Sequence, residues 1–328
     1  MEKTRKWRWG VNRWIILGLI VLSVITSRAF PPVRPEIALA PEALTPEITL
    51  PIIGNFALTN TMVAMLIGDI ILIALALTVR GAVKKAEETG ELIPRKKLAG
   101  AVEMLIEYLY NMTEGTAGKW AKQIFPFFVS ITFLVLIANW MELIPGVDSI
   151  GFIHATTSEG HQIASVLGGI PYLTTTVAGE GQTGYTLVPF VRTLSTDLNF
   201  TVALALIAVV MTQVMGVRAQ GMTYFTKFWN TKTFFSKPIF GLIDWVVGLL
   251  EIISEFSKVL SFSFRLFGNI FAGSVMLFVI GSLVPIFAQS IFLGLELFVG
   301  LIQALVFGML TMTFMAQATH GHGEEQHA

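Results

Sequence analysis

The sequence predicts an all-α protein that crosses a membrane several times, and three observations carry that expectation. The chain is 54% hydrophobic and only 13% charged, where a soluble domain carries about 25% charged residues. Its mean hydropathy is +0.70. Its apolar residues gather into runs of the length that a helix needs to cross ~30 Å of hydrocarbon, about twenty residues. The same composition excludes other classes. Lys+Arg and Asp+Glu are equal at 22 each, so no basic surplus points to nucleic acid, and the absence of cysteine removes disulfides, thiolate metal sites and cysteine nucleophiles.

The elements follow in order. The apolar run Trp14 to Thr26 lies behind Lys3, Arg5, Lys6, Arg8 and Arg13. At about thirteen residues it is short for a span, and Ser27-Arg28-Ala29 has the small-x-small form of a signal-peptidase site. Residues 1–29 therefore read as a cleaved signal peptide or a retained signal anchor. Either places the Pro-rich segment 30–56 outside. Residues 57–318 form the membrane domain, and 319–328 a polar cytoplasmic tail.

Within that domain, Ala57 to Val79 is a full span interrupted by Asp69. The basic run that follows it, Arg80 to Lys97, is cytoplasmic by the positive-inside rule. From Pro94 to Thr113, Leu98, Val102, Leu105, Ile106 and Leu109 share one helical face, and Glu103, Glu107 and Asn111 share the other. That pattern describes an amphipathic helix on the membrane surface. Ile124 to Ile144 spans outward, and Pro145 to Thr196 is a Gly- and Thr-rich external segment. Leu198 to Val217 returns to a side carrying Arg218, Lys227, Lys232 and Lys237. Two long apolar segments remain, Ile239 to Val284 and Ile286 to Ala316, divided by Pro285. As helices they would be ~69 Å and ~46 Å long, so each must be broken or strongly tilted.

The ionisable residues inside these last segments are the informative ones. At 100° per residue, Glu251, Ser254, Glu255, Lys258, Ser261, Arg265, Gly268 and Asn269 form one polar stripe. Gln289, Glu296 and Gln303, spaced by seven, share a face of the final segment. The simplest arrangement turns both stripes toward a hydrated cavity. Arg265 has no acidic residue at i±3 or i±4, and a charge at mid-bilayer costs about 2.5–3.5 kcal/mol on insertion scales. A fixed charge on an ion path accounts for that expense; pairing with Glu296 or with lipid phosphate is the structural alternative.

Ser261-Phe262-Ser263-Phe264-Arg265-Leu266-Phe267-Gly268-Asn269-Ile270-Phe271-Ala272-Gly273 closely resembles the signature of F-type ATP synthase subunit a. Asn139-Trp140-Met141-Glu142-Leu143-Ile144-Pro145, Thr196-Asp197-Leu198-Asn199-Phe200-Thr201 and Leu301-Ile302-Gln303-Ala304-Leu305-Val306-Phe307 agree with the family in order and spacing. The resemblance implies an ion-translocating stator subunit with two offset half-channels leading to the carboxyl groups of a ring of c subunits. Arg265 would stand between them. Glu142, Asp197, Glu296 and Gln303 match the external half-channel, and Glu251, Ser261 and Asn269 the cytoplasmic side; Gln303 could instead hold the Arg265 side chain. Many relatives carry Glu or His nine positions after the arginine, paired across to the last helix. Here those positions are Ser274 and Glu296, which leaves Glu296 to act alone or through water. The implied partners are the c-ring, peripheral-stalk subunit b, the rest of the synthase and the lipid bilayer. The implied location is a bacterial cell (inner) membrane, with no cofactor or metal. The ion is H⁺ or Na⁺, and the residues favour H⁺ because nothing in them resembles a sodium ligand cage.

Three rival classes fit the sequence less well. A proton-coupled secondary transporter usually shows paired repeats with interrupted helices, and none is visible. A haem-bearing subunit needs histidines within spans, but His154, His161, His320, His322 and His327 lie in external or terminal segments. A self-contained enzyme is disfavoured because no phosphate loop and no paired nucleophile and base are recognisable.

Overall fold

The computed structural model describes residues 9–29, 40–51, 54–89, 97–156, 160–166, 170–179, 183–228, 238–283 and 287–320. Residues 1–8, 30–39 and 52–53 of the Pro-rich segment, Pro94, Lys232, Lys237, Pro285 and the tail 321–328 lie outside them. Seven α-helices are described: α1 (Trp9–Ala29), α2 (Asn60–Thr89), α3 (Lys97–Ala117), α4 (Ala121–Trp140), α5 (Leu198–Gln220), α6 (Pro238–Leu283) and α7 (Phe287–Thr319). Five helical stretches are long and apolar enough to cross a membrane, which agrees with the all-α polytopic class expected. Both long helices are unbroken. With 46 and 33 residues they measure ~69 and ~50 Å, so of the two alternatives left by the sequence the broken one does not hold.

The chain divides into two compact units. One gathers Ala64–Met141, Leu194–Asn269 and Gly300–Ala328; the other gathers Met1–Val63, Glu142–Thr193 and Ile270–Val299. The core of the first is built from α3, α4, α5 and the end of α7, with Leu109, Ile124, Phe128, Met215, Met312 and Met315 in mutual contact around Ala117, Ala121 and Ala316. Small residues allow such helices to approach closely where lipid offers no hydrophobic drive. Buried threonines are satisfied inside their own helices. Thr113 donates to the Leu109 carbonyl, Thr132 to Phe128, Thr212 to Ala208 and Thr311 to Phe307, as hydrocarbon surroundings require.

α3 departs from a simple surface helix. Leu109 is buried against α4, yet Leu98, Met104, Leu105 and Tyr108 are exposed along with Glu107. Its apolar face is thus shared between protein and surroundings. A turn of 3₁₀ helix, Gly118–Trp120, joins it to α4.

The second unit holds what the sequence did not suggest. The connection between α4 and α5 carries a four-stranded antiparallel sheet of order β4-β7-β5-β6, where β4 is Gly151–Thr156, β5 His161–Val166, β6 Ile170–Val177 and β7 Gly184–Pro189. Short strands β1 (Ile48–Leu50) and β2 (Gly54–Phe56) form a hairpin, and β3 (Pro145–Asp148) leads into the insert. β4 pairs with β7 from Gly151↔Pro189 to Thr156↔Gly184, and β5 meets β7 at His161↔Tyr185. Gly160 and Gly184 cross there so closely that a Cβ on either would strike the other's backbone. Pro171 sits in β6, the edge strand, where a missing N–H breaks no ladder.

Candidate functional site

α6 carries its polar stripe across two environments. Phe262, Leu266 and Ile270 are buried, and Phe262 stacks on Phe314 of α7 with ring centroids 5.6 Å apart. The opposite face, with Ser261, Phe264, Arg265, Gly268, Asn269 and Ala272, is exposed. Phe264 alone keeps 55% of its surface open. The hydrogen bond of the Arg265 guanidinium goes to Ser261 Oγ, one turn earlier, at 3.5 Å. None goes to Gln303, which is half-buried on α7, so the alternative in which Gln303 holds the arginine is not the arrangement found.

The other edge of the stripe is covered by charge pairs, in which Glu255 is buried and Lys227, Glu251 and Lys258 are half-buried. Lys227, at the end of the 3₁₀ turn Gly221–Lys227, reaches Glu251 at 2.7 Å and Glu255 at 3.0 Å, and Lys258 meets the same Glu255 oxygen at 2.9 Å. Lys227 also lies over the rings of Tyr224 and Phe228, and Lys258 over Phe314. The local pair Glu255–Lys258, given no role from sequence, is therefore half of a four-charge network. Lys227 was read there only as a marker of sidedness, because no spacing rule links it to residues some twenty-five positions away. Removing one member of a network that is largely out of water strands its partners, with solvent screening reducing the cost. Lys227→Ala is expected to lower the stability of the purified subunit by about 1–2 kcal/mol, read as a fall in unfolding midpoint in detergent. Lys227→Ala combined with Glu251→Gln and Glu255→Gln should recover part of it.

In the unit that holds the sheet, Glu142, Ser274 and Glu296 come together. Ser274 stands beside Glu142, and Glu142 is close enough to Glu296 and Asp148 to feel their charge. Glu142 Oε2, Ser274 Oγ and Glu296 Oε1 are all buried without a hydrogen-bond partner among the described residues. Buried polar oxygens of this kind are commonly satisfied by internal water. Glu296 fits here because α6 offers a glycine. A Cβ on Gly273 would overlap Glu296 Oε1, so the carboxyl lies directly on the backbone of the neighbouring helix. Ser274, the departure noted in the sequence, is thus part of the cluster in which an ionisable group was missing.

Asp197 is the N-cap of α5, its Oδ1 accepting the Asn199 N–H at 2.9 Å. Its neighbour Ser195 donates to Asn139 Oδ1 at 2.6 Å, and Asn139 Nδ2 donates to the Gly300 carbonyl at 2.9 Å. This buried polar bridge joins α4, the Leu194–Thr196 turn and α7. Asp69 is half-buried on α2. The described residues contain no group of three or more metal-ligating side chains.

Comparison with known proteins decides what these features belong to. Residues 62–316 match the family described as ATP synthase A chain. The chain belongs to that family. ATP synthase subunit a of Mycobacterium bovis is 27% identical over 285 residues, 84% of this chain and 92% of that one. ATP synthase subunit a 1 of Photobacterium profundum is 32% identical over 228 residues, 68% and 74% respectively. ATP synthase subunit a of Rubrobacter xylanophilus is 34% identical over 151 residues, which span 43% of this chain and 57% of that relative. As an ATP synthase a chain, the protein is a multi-pass membrane component of the synthase and the stator subunit of its membrane sector, not itself the catalytic part.

Proposed function

We propose that this a chain conducts protons to and from a ring of c subunits through two offset half-channels, with Arg265 as the charge that separates them, so that flow drives rotation and ATP synthesis on other subunits. The observation that carries this reading is the exposed face of α6. A helix long enough to follow a curved ring presents Arg265, with Ser261 and Asn269 one turn to each side, away from its own packing partner. A cation there favours the ionised form of any carboxyl brought against it. It repels a proton that would pass straight through.

On the external side, the supporting feature is the Glu142–Ser274–Glu296 cluster with its three unpartnered buried oxygens. Asp197 and Gln303 complete that path in this reading. On the cytoplasmic side, Ser261, Asn269 and Glu251 serve, Glu251 through its pair with Lys227. Subunit b is the peripheral-stalk partner, the location is the bacterial cell membrane, and the C-terminus is cytoplasmic. Residues 1–29 act as signal peptide or anchor.

Because the chain has no cysteine, the ring contact is directly testable. In assembled synthase, Phe264→Cys or Gly268→Cys should form disulfides with a cysteine introduced beside the ring carboxyl. Ser263→Cys and Leu266→Cys, on the packed face, should not. Equal cross-linking from both faces, or none from the exposed one, would reject the ring-facing assignment and bring back the transporter alternative.

A further inference from the structure

We infer that Asp148, in the β insert, is the outer proton-collecting group of this a chain, the point at which the external path meets the aqueous phase. The inference deepens the external half-channel reading above and rests on it. Asp148 is the one non-glycine among the described residues with positive φ, at 63°, a conformation that Asp and Asn tolerate better than other side chains. Its backbone is pinned there, the N–H donating to the Val191 carbonyl at 3.2 Å. Among the described residues the side chain is held by Thr193 alone, through its backbone N–H and its hydroxyl. Thr193 Oγ1 donates weakly to Oδ2 at 3.4 Å, while Oδ1 is buried without a partner. A strained backbone that leaves a buried carboxyl oxygen without a hydrogen-bond partner among the described residues is unexpected unless that oxygen serves water or a proton.

Its surroundings suit the task. The titratable and charged groups facing it are Arg192, which lowers its pKa, Glu42, which raises it, and Glu142, the inner carboxyl that feels its charge. Arg192 and Glu42 are themselves positioned. Arg192 donates to the Ala40 carbonyl at 2.9 Å, and the buried Asn60 ties the backbone and carboxylate of Glu42 to the start of α2. Burial is the larger influence and pushes the Asp148 carboxyl up to about 6. Above that pH the group is ionised and can capture a proton; below it the group is already protonated and adds nothing. A collecting group matters most where free protons are scarce.

The test uses the assembled synthase in proteoliposomes, with ATP synthesis measured at constant total driving force while the pH on the external side of the a chain is stepped from 5 to 8. Asn keeps the left-handed backbone and an acceptor for Thr193. Asp148→Asn should match wild type near pH 5 and fall about threefold or more by pH 8, since only ionised carboxyl groups collect protons there. Arg192→Gln removes the lowering charge and should move the steep part of the profile to higher pH. If both variants follow the wild-type profile, Asp148 is not the collecting group. If Asp148→Asn does not assemble, the Arg192→Gln profile decides alone: a shift upholds the inference and no shift overturns it. Glu296→Gln, run alongside, separates the two levels. Loss at every pH with Glu296→Gln but a wild-type profile for Asp148→Asn sinks only the role of Asp148, while a silent Glu296→Gln sinks the external path itself.

Discussion

Arg265→Ala is expected to abolish ATP-driven proton uptake in inverted membrane vesicles while the subunit remains inserted by immunoblot. An opposite charge within ~4–6 Å lowers a carboxyl pKa by about 1–3 units. Without the guanidinium, a ring carboxyl passing the exposed face of α6 would release its proton about ten- to a thousandfold less readily, and protons could leak between the half-channels. The neighbours of Arg265 do not substitute for it. Among the described residues its one side-chain hydrogen bond is to Ser261, and Asn269 is neutral. Arg265→Lys should recover little, because an ammonium covered by the ring is open to neutralisation where a guanidinium is not. Normal pumping by an inserted Arg265→Ala subunit would end the stator mechanism proposed here.

The second large effect is expected far from any charge. Gly273→Ala should reduce proton flux by roughly tenfold or more, although alanine is the better helix former, because the new methyl takes the place of Glu296 Oε1. Overpacking of this kind costs about 1–3 kcal/mol, and the carboxyl can relieve it only by leaving the cluster with Glu142 and Ser274. Shortening the side chain should restore part of the flux, so Gly273→Ala combined with Glu296→Asp should outperform Gly273→Ala alone. Gly294→Ala is the control. Nothing lies within 4 Å of a Cβ built on Gly294, so that substitution should leave flux unchanged. Gly273→Ala and Gly294→Ala vesicles with equal flux would show that the Glu296 position is immaterial.

The membrane helices were legible in the sequence because their signal is dense. Twenty or more apolar residues bounded by basic loops have few other readings, and the Arg265 motif sits inside one. The β insert was not legible. Its strands are short and rich in threonine and glycine, and their pairing joins residues such as Phe152 and Val188 that no local period connects. The site divided along the same line. Arg265, Ser261 and Asn269 lie on one helix, so their common face follows from 100° per residue. Lys227 with Glu251, Gly273 with Glu296 and Ser274 with Glu142 are contacts between elements, and only the packing supplies them. The polar stripe itself was read as a single surface, but a face some 140° wide reaches both the interior and the exterior of a packed helix. Glu255 and Arg265 therefore ended in opposite surroundings.

The pairing order of the insert bears on how the polypeptide is made. β4 and β7 lie at the two ends of the connection between α4 and α5, and they are partners in the sheet. With the insert on the external side, as proposed above, they can zip together only after the whole loop has been threaded across the membrane and the later strand has emerged beside the earlier one. Before that moment the half-inserted hairpin is free to slip backwards. Afterwards, return would require a folded sheet to be unravelled. With no cysteine in the chain, this latch needs no oxidising catalyst and closes by backbone pairing alone. The insert would then commit the orientation of α4 and α5 before the long helices α6 and α7 leave the ribosome.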